Sequence, residues 1–108
     1  MIIDKLIEKI RATDCPVCVG LDTDVSYLPK VYDDKAAAVL GYNAELIDRL
    51  KGVIPAVKVQ VAYYEALGVA GMQAFADTLA LSRKAGLVAI ADCKRNDIGS
   101  TAATYSSA

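Results

Sequence analysis

Residues 87–99 read Leu87-Val88-Ala89-Ile90-Ala91-Asp92-Cys93-Lys94-Arg95-Asn96-Asp97-Ile98-Gly99. Gly86 precedes this stretch, which begins apolar and closes in charge. Residues 87–94 are predicted as a strand. Side chains alternate across a strand, so Leu87, Ala89, Ala91 and Cys93 share one face while Val88, Ile90, Asp92 and Lys94 share the other. Two residues along a strand span about 7 Å, which makes Asp92 and Lys94 near neighbours at its C-terminal end.

Two upstream stretches repeat the pattern. Residues 55–61 put Val57, Val59 and Val61 on one face and Ala56, Lys58 and Gln60 on the other. Residues 16–21 form a shorter run, with Val17, Val19 and Leu21 opposite Cys18, Gly20 and the following Asp22. Each strand thus has an apolar face suited to packing under helices and a second face that ends polar. Asp22, Lys58, Asp92 and Lys94 fall at corresponding places. A lysine inside a buried strand is unfavourable unless paired, so Lys58 is the least easily read as an ordinary surface charge.

Helical segments separate the strands. Ile2, Ile3, Leu6, Ile7 and Ile10 recur at helical spacing and form one apolar face. After a loop to about Asp34, with Asp33 or Asp34 available as N-cap, residues 35–51 carry the stripe Val39, Leu40, Asn43, Leu46, Ile47 and Leu50, and Gly52 ends the helix. Residues 68–84 form the next helix, with Met72, Phe75, Ala76 and Leu79 inward. Another begins at Ile98 and runs to residue 108, with Asn96 or Asp97 as its expected N-cap. Strands alternating with such helices imply right-handed parallel βαβ units, in an open doubly wound sheet or in part of a (β/α)8 barrel. A barrel places its chemistry at the C-terminal ends of its strands, where these charges lie.

The bulk properties narrow the function classes. A chain of 108 residues with 55% hydrophobic residues suits a folded domain, and a net charge of −1 gives no general affinity for nucleic acid or an anionic membrane surface. Apolar runs fall short of the roughly 18 residues that span a bilayer, and the N-terminus lacks the basic start and apolar core of a signal peptide, so a cytoplasmic protein is expected. The first strand is not followed by either Gly-rich phosphate-loop pattern, and Gly68 and Gly71 read as loop and packing positions. Cys15-Pro16-Val17-Cys18 matches C-x-x-C, but it leads into a strand rather than opening a helix, and Cys93 is the only other cysteine. Redox or zinc chemistry is therefore not expected there.

Asp92-Cys93-Lys94-Arg95-Asn96-Asp97-Ile98-Gly99 resembles the D-x-K-x-x-D-I-G signature of orotidine 5'-monophosphate decarboxylases. Gly20-Leu21-Asp22 resembles the family's first-strand G-L-D, and Lys58 stands where the family has its second-strand lysine. Asn43-Ala44-Glu45-Leu46-Ile47-Asp48 and Tyr63-Tyr64-Glu65-Ala66-Leu67-Gly68 look like the segments around that lysine. A related group of sugar-phosphate enzymes shares D-x-K-x-x-D, and a magnesium-dependent keto-sugar-phosphate decarboxylase or synthase is the alternative enzyme; the Ile98-Gly99 continuation disfavours it.

The resemblance implies a (β/α)8 barrel, of which residues 1–108 would be the N-terminal part of a single domain, with the later strands and the phosphate-gripping segment beyond them. It implies decarboxylation of orotidine 5'-monophosphate to uridine 5'-monophosphate in a homodimer with a shared active site. Asp22 would bind the ribose, Lys58 the substrate hydroxyls, and Asp92 would sit beside the substrate carboxylate. Lys94 would protonate C6, Asp97 would touch the ribose in the neighbouring subunit's site, Ile98 would line the pyrimidine pocket and Thr101 would support the nucleotide contacts. Neither a metal nor an organic cofactor is required by this chemistry. The 108-residue piece alone is expected to be inactive, an association module at most.

Overall fold

Val57 and Val59 alternate along one strand, Val61 follows just past its end, and all three are fully buried. Burying a valine side chain contributes on the order of 1.5–3 kcal/mol, so this face determines how the sheet is covered. In the computed structural model, which describes residues 1–29 and 33–108, two long helices cover it. The elements run α1 (Ile2–Thr13), β1 (Cys18–Gly20), a 3₁₀ turn (Val25–Tyr27), α2 (Lys35–Leu50), β2 (Ala56–Gln60), α3 (Ala62–Glu65), α4 (Gly68–Lys84), β3 (Val88–Asp92) and α5 (Gly99–Ser106). The strands form one parallel sheet in the order β1-β2-β3. Cys18 pairs with Ala56 and Ala56 with Val88; Gly20 pairs with Lys58 and Lys58 with Ile90; Gln60 pairs with Asp92. Residues in register on a parallel sheet point to the same side. The register therefore puts Gly20, Lys58 and Ile90 in one row and Gln60 and Asp92 in the next.

Val39 and Ile47 of α2 and Ala74 and Phe75 of α4 join the buried valines in the core, with Leu21, Ile54, Tyr64 and Leu87. Asp34 caps α2, its side chain accepting from the Ala37 N–H at 3.0 Å. Gly52 and Gly86 take positive φ just beyond α2 and α4, where a side chain would be strained. The expected loop to residue 34 includes residues 30–32, which lie outside the described residues. Its described part contains the 3₁₀ turn, capped by the Asp24 side chain.

Several expectations need correction. Ala76, expected inward, is exposed; Ala74, Thr78 and Ser82 are buried instead, because the contact face of α4 is rotated towards α2 and α3. The apolar face of α1 is uncovered, with every α1 residue exposed or half-buried. On the outer face of the sheet, Ala91 and Cys93 are exposed, since α5 lies against α3 rather than over β3, and Val17 is exposed at the β1 edge of the sheet. A short helix, α3, stands between β2 and α4 and was not foreseen.

One polar network runs through the packed layer. Asn43 of α2 is fully buried, as are Tyr64 and Thr78. The Asn43 amide donates to Tyr64 Oη at 2.7 Å and to Thr78 Oγ1 at 3.1 Å, while Asn43 Oδ1 accepts from Thr23 Oγ1 at 2.5 Å. Tyr64 Oη donates onward to the Leu21 carbonyl at 2.8 Å. A buried amide with all these bonds made is tolerated where an unpaired one would be strongly destabilising.

Gly71 marks the tightest contact between α3 and α4. A Cβ there would lie 1.9 Å from the Tyr64 carbonyl oxygen and 2.6 Å from Leu67 Cβ. Gly71→Ala is therefore expected to reduce the unfolding free energy by about 2 kcal/mol or more, as overpacking does. Gly41, within α2, has no described atom within 4 Å of an added Cβ. Gly41→Ala is expected to leave stability unchanged or raise it by about 0.5–1 kcal/mol. Urea unfolding followed by circular dichroism checks both; equal effects would contradict this packing.

Candidate active site

Lys58 stands in the middle strand with Gly20 on one side and Ile90 on the other. Its neighbours in that row carry no charge, so its ammonium pairs with groups nearer the strand ends. Lys58 Nζ lies 3.4 Å from Asp22 Oδ2, just past β1, and 3.7 Å from Asp92 Oδ2, the last residue of β3. Lys94 Nζ approaches the same Asp92 oxygen at 3.2 Å and Asp97 Oδ2 at 3.3 Å. The five groups thus alternate in sign: Asp22, Lys58, Asp92, Lys94, Asp97. Three carboxylates and two ammoniums give the array a formal charge of −1.

Asp92 is the centre of this arrangement, and its side chain is 19% exposed against 51% for Lys94. Hydrogen bonds donated by the Lys94 ammonium to Asp92 and then to Asp97 raise it above its ordinary range. The Ile98 N–H, 2.9 Å from Asp97 Oδ1, holds the Asp97 carboxyl below its ordinary range, with Lys94 adding to the effect. Asp22 Oδ1 is buried and has no hydrogen-bond partner among the described residues. It is a buried acceptor without a protein donor, while the Asp22 side chain as a whole is 36% exposed.

The expected residues are distributed unequally. Asp22, Lys58, Asp92, Lys94 and Asp97 come together; Ile98 and Thr101 stand outside the ion-paired set. The Ile98 side chain is 86% exposed, and Thr101 is half-buried on the first turn of α5. Neither Asn96 nor Asp97 caps α5: Ile98 occupies the cap position without a side-chain cap, and the Asp97 carboxylate is engaged by the adjacent N–H and Lys94.

Other residues support the site. Arg95 grips the Glu65 carboxylate through Nε, at 3.1 Å and 3.2 Å from its two oxygens, and through Nη2 at 3.1 Å from Oε1. This clamp ties the segment carrying Lys94 and Asp97 to α3. Tyr105 Oη donates to the Lys94 carbonyl and lies 3.3 Å from Gln60 Oε1. Strand alternation already placed Gln60 beside Lys58, but the pairings of Glu65 with Arg95 and of Tyr105 with Lys94 join positions far apart in the chain and leave no periodic signal. All three cysteines are free, and burial pushes the Cys18 thiol up, away from the thiolate a redox centre needs. Among the described residues, no group of three or more His, Cys, Asp or Glu side chains could hold a metal ion.

A family model described as the orotidine 5'-phosphate decarboxylase / HUMPS family matches residues 16–108. An orotidine 5'-phosphate decarboxylase of Clostridium botulinum (strain Hall) is 47% identical over 112 residues, covering all of this chain and 39% of that protein. The Clostridium novyi (strain NT) enzyme of the same name is 42% identical with the same coverage. The chain therefore spans about two fifths of the length of these curated relatives. A solved structure of a putative orotidine-monophosphate decarboxylase from Toxoplasma gondii superposes with a TM-score of 0.76 at 32% identity, over 96% of this chain and 35% of that one. A Leishmania donovani UMP synthase superposes at 0.67 with 30% identity, over 95% of this chain and 21% of that one.

The charge pairing has a measurable consequence. Lys94 is raised above its ordinary value of 10.5, so its contribution to stability is complete below that value and is lost as pH rises through the raised one. Asp97 is lowered from 3.8, so its contribution is complete above that value and is lost as pH falls through the depressed one. Asp92→Asn is expected to return the Lys94 ammonium towards its ordinary value, and to do so further than Asp97→Asn. Titration of the lysine side chains by NMR checks this; an unmoved Lys94 in Asp92→Asn would contradict the pairing.

Proposed function

The chain belongs to the orotidine 5'-phosphate decarboxylase / HUMPS family, and on that premise we propose that the protein carrying it converts orotidine 5'-monophosphate to uridine 5'-monophosphate and CO2. Three parallel strands and their helices form the N-terminal portion of a (β/α)8 barrel, as in the solved relatives. In this reading residues 1–108 belong to one barrel domain, and the isolated piece turns over no substrate because the phosphate-binding end of a barrel lies after its later strands. Binding energy from such a remote group normally supports the chemical step.

The observation that carries the proposal is the alternating array on three strands. Loss of CO2 from C6 of the pyrimidine leaves an electron pair in the plane of the ring, where the ring cannot delocalise it. An ammonium fixed at that carbon stabilises the developing carbanion and then protonates it. Lys94 is assigned this role. Its paired carboxylates keep it charged and hold it in place before the substrate arrives. Asp92 sits beside the departing carboxylate, and Lys58 and the part-exposed Asp22 carboxylate hold the ribose hydroxyls. Ile98 lines the pyrimidine and Thr101 supports the nucleotide. The lysine supplies the acid itself, so the reaction is assigned to protein side chains without a cofactor. A cytoplasmic homodimer with composite sites completes the proposal.

In a full-length protein carrying this chain, Lys94→Ala is expected to abolish decarboxylation while product-nucleotide binding persists, because the proton donor acts mainly in the transition state. A kcat retained within about tenfold, only about 1.4 kcal/mol of barrier, would refute the assignment. Turnover of a hexulose phosphate with magnesium, with none of orotidine 5'-monophosphate, would refute the substrate. Asp97 pairs with Lys94 within one chain, and mixing tests whether in the assembled enzyme its catalytic service goes to the partner's site instead. Once subunit exchange is shown, combining Asp97→Ala with Lys94→Ala protein should restore activity towards the fraction of intact sites. No recovery would place Asp97 in its own chain's site.

A further inference from the structure

Asp22 lies where the sheet can no longer hold it. The last ladder bond of β1 is the Leu21 N–H to the Lys58 carbonyl at 2.7 Å, and the chain then leaves the sheet. The Asp22 carboxylate meets Lys58 only at 3.4 Å, and Lys58 is itself shared with Asp92. The residues on either side of Asp22 are nevertheless almost fully buried and hydrogen-bonded. The Leu21 carbonyl accepts from Tyr64 Oη at 2.8 Å, and Thr23 Oγ1 donates to Asn43 Oδ1 at 2.5 Å.

The network has one consistent direction. Tyr64 Oη has a single proton, given to the Leu21 carbonyl, so it must accept from Asn43 Nδ2. Thr78 Oγ1 takes the other amide N–H, which turns Asn43 Oδ1 towards Thr23. Burial pushes the Tyr64 hydroxyl up to about 12, so it remains a proton donor throughout the neutral range. An apolar residue at position 43 would fill the α2–α4 interface without burying an amide. The polar groups here converge instead on the two residues flanking a single carboxylate.

We infer that Asn43 and Tyr64, anchored by Thr78, are positioning residues that clamp Leu21 and Thr23 and so aim the Asp22 carboxylate at the substrate. The inference rests on the functional reading above for what Asp22 touches. The clamp itself is independent of that reading. Neither Asn43 nor Tyr64 touches the charged array; both act through the backbone that carries Asp22.

The test uses a full-length protein carrying this chain, with uridine 5'-monophosphate as the binding probe and orotidine 5'-monophosphate as substrate. Tyr64→Phe removes one hydroxyl and keeps the ring, with its edge contact to Phe75 at 5.5 Å between centroids. Loss of the hydroxyl's two buried hydrogen bonds, to the Leu21 carbonyl and from Asn43, is expected to weaken nucleotide binding and raise KM by about tenfold. In an Asp22→Asn background the same substitution should change binding less than about twofold, because the group being aimed is already lost. Thr23→Val should behave like Tyr64→Phe, and Thr23→Ser, which keeps the donor, should restore binding; this pair decides the matter if Tyr64→Phe does not fold. Ile47→Val, in the same core but outside the network, should lower thermal stability without changing nucleotide affinity. Equal effects of Tyr64→Phe with and without Asp22, or a purely thermal effect, would overturn the inference. If the unsubstituted protein does not decarboxylate the substrate, the functional reading fails separately. Hydrogen exchange at residues 21–23 then decides the clamp: acceleration in Tyr64→Phe but not in Ile47→Val supports it, and equal rates overturn it.

Discussion

Two ammonium groups can be held against a single carboxylate oxygen only if further negative charge lies on their outer sides. At an effective dielectric near 20, unit charges about 4 Å apart interact by about 4 kcal/mol, so the repulsion between two ammoniums gathered on one carboxylate has to be offset by neighbouring negative charge. Asp22 and Asp97 supply the relief at the two ends of the array, and Asp92 supplies it at the centre. This alternation is created by strand register. Sliding β3 by one residue would turn Asp92 away from the Lys58 face and leave Lys58, in a largely apolar strand, with Asp22 as its remaining ion-pair partner.

The outer face of the sheet secures that register. Val57 and Val59 are buried beneath α2 and α4, and a slip would expose them while burying Lys58. The core and the site are thus two sides of the same alternation. The loops beyond the strands need separate restraint, because no ladder holds them. Arg95 and Glu65 restrain the segment after β3, and the Asn43–Tyr64 network restrains the segment after β1. Both restraints draw on α3, the four-residue helix that supplies Glu65 and Tyr64. A small connecting element therefore positions groups on either side of the middle strand.

Much of this was legible in the sequence because it depends on local periodicity. Alternation placed Lys58 and Asp92 on one face, and the helix at residues 68–84 has the limits that its spacing and Gly86 imply. The D-x-K-x-x-D-I-G resemblance named Asp92, Lys94 and Asp97, and the G-L-D and second-strand lysine resemblances added Asp22 and Lys58; these are the five charges that come together. What escaped depends on packing between distant segments. Ala76 was expected inward with Met72, Phe75 and Leu79 at helical spacing, whereas the polar Thr78 and Ser82 occupy the buried face. Asn43 was visible as a polar residue within an apolar stripe, but its partners Thr23, Tyr64 and Thr78 lie 20, 21 and 35 positions away. Periodicity cannot reveal pairings across such separations. The exposed apolar side of α1 was equally hidden, since helical spacing shows that a face exists and not what covers it.

The central claim is that the alternating array is where the nucleotide is bound and its C6 protonated. A crystal structure of a full-length protein carrying this chain, with uridine 5'-monophosphate bound, tests it most directly. The account predicts Lys94 Nζ within hydrogen-bonding range of C6 and Asp22 and Lys58 on the ribose hydroxyls, with the order of charges retained. A nucleotide bound away from the C-terminal ends of β1, β2 and β3, or seated there with Lys94 turned from C6, would contradict it.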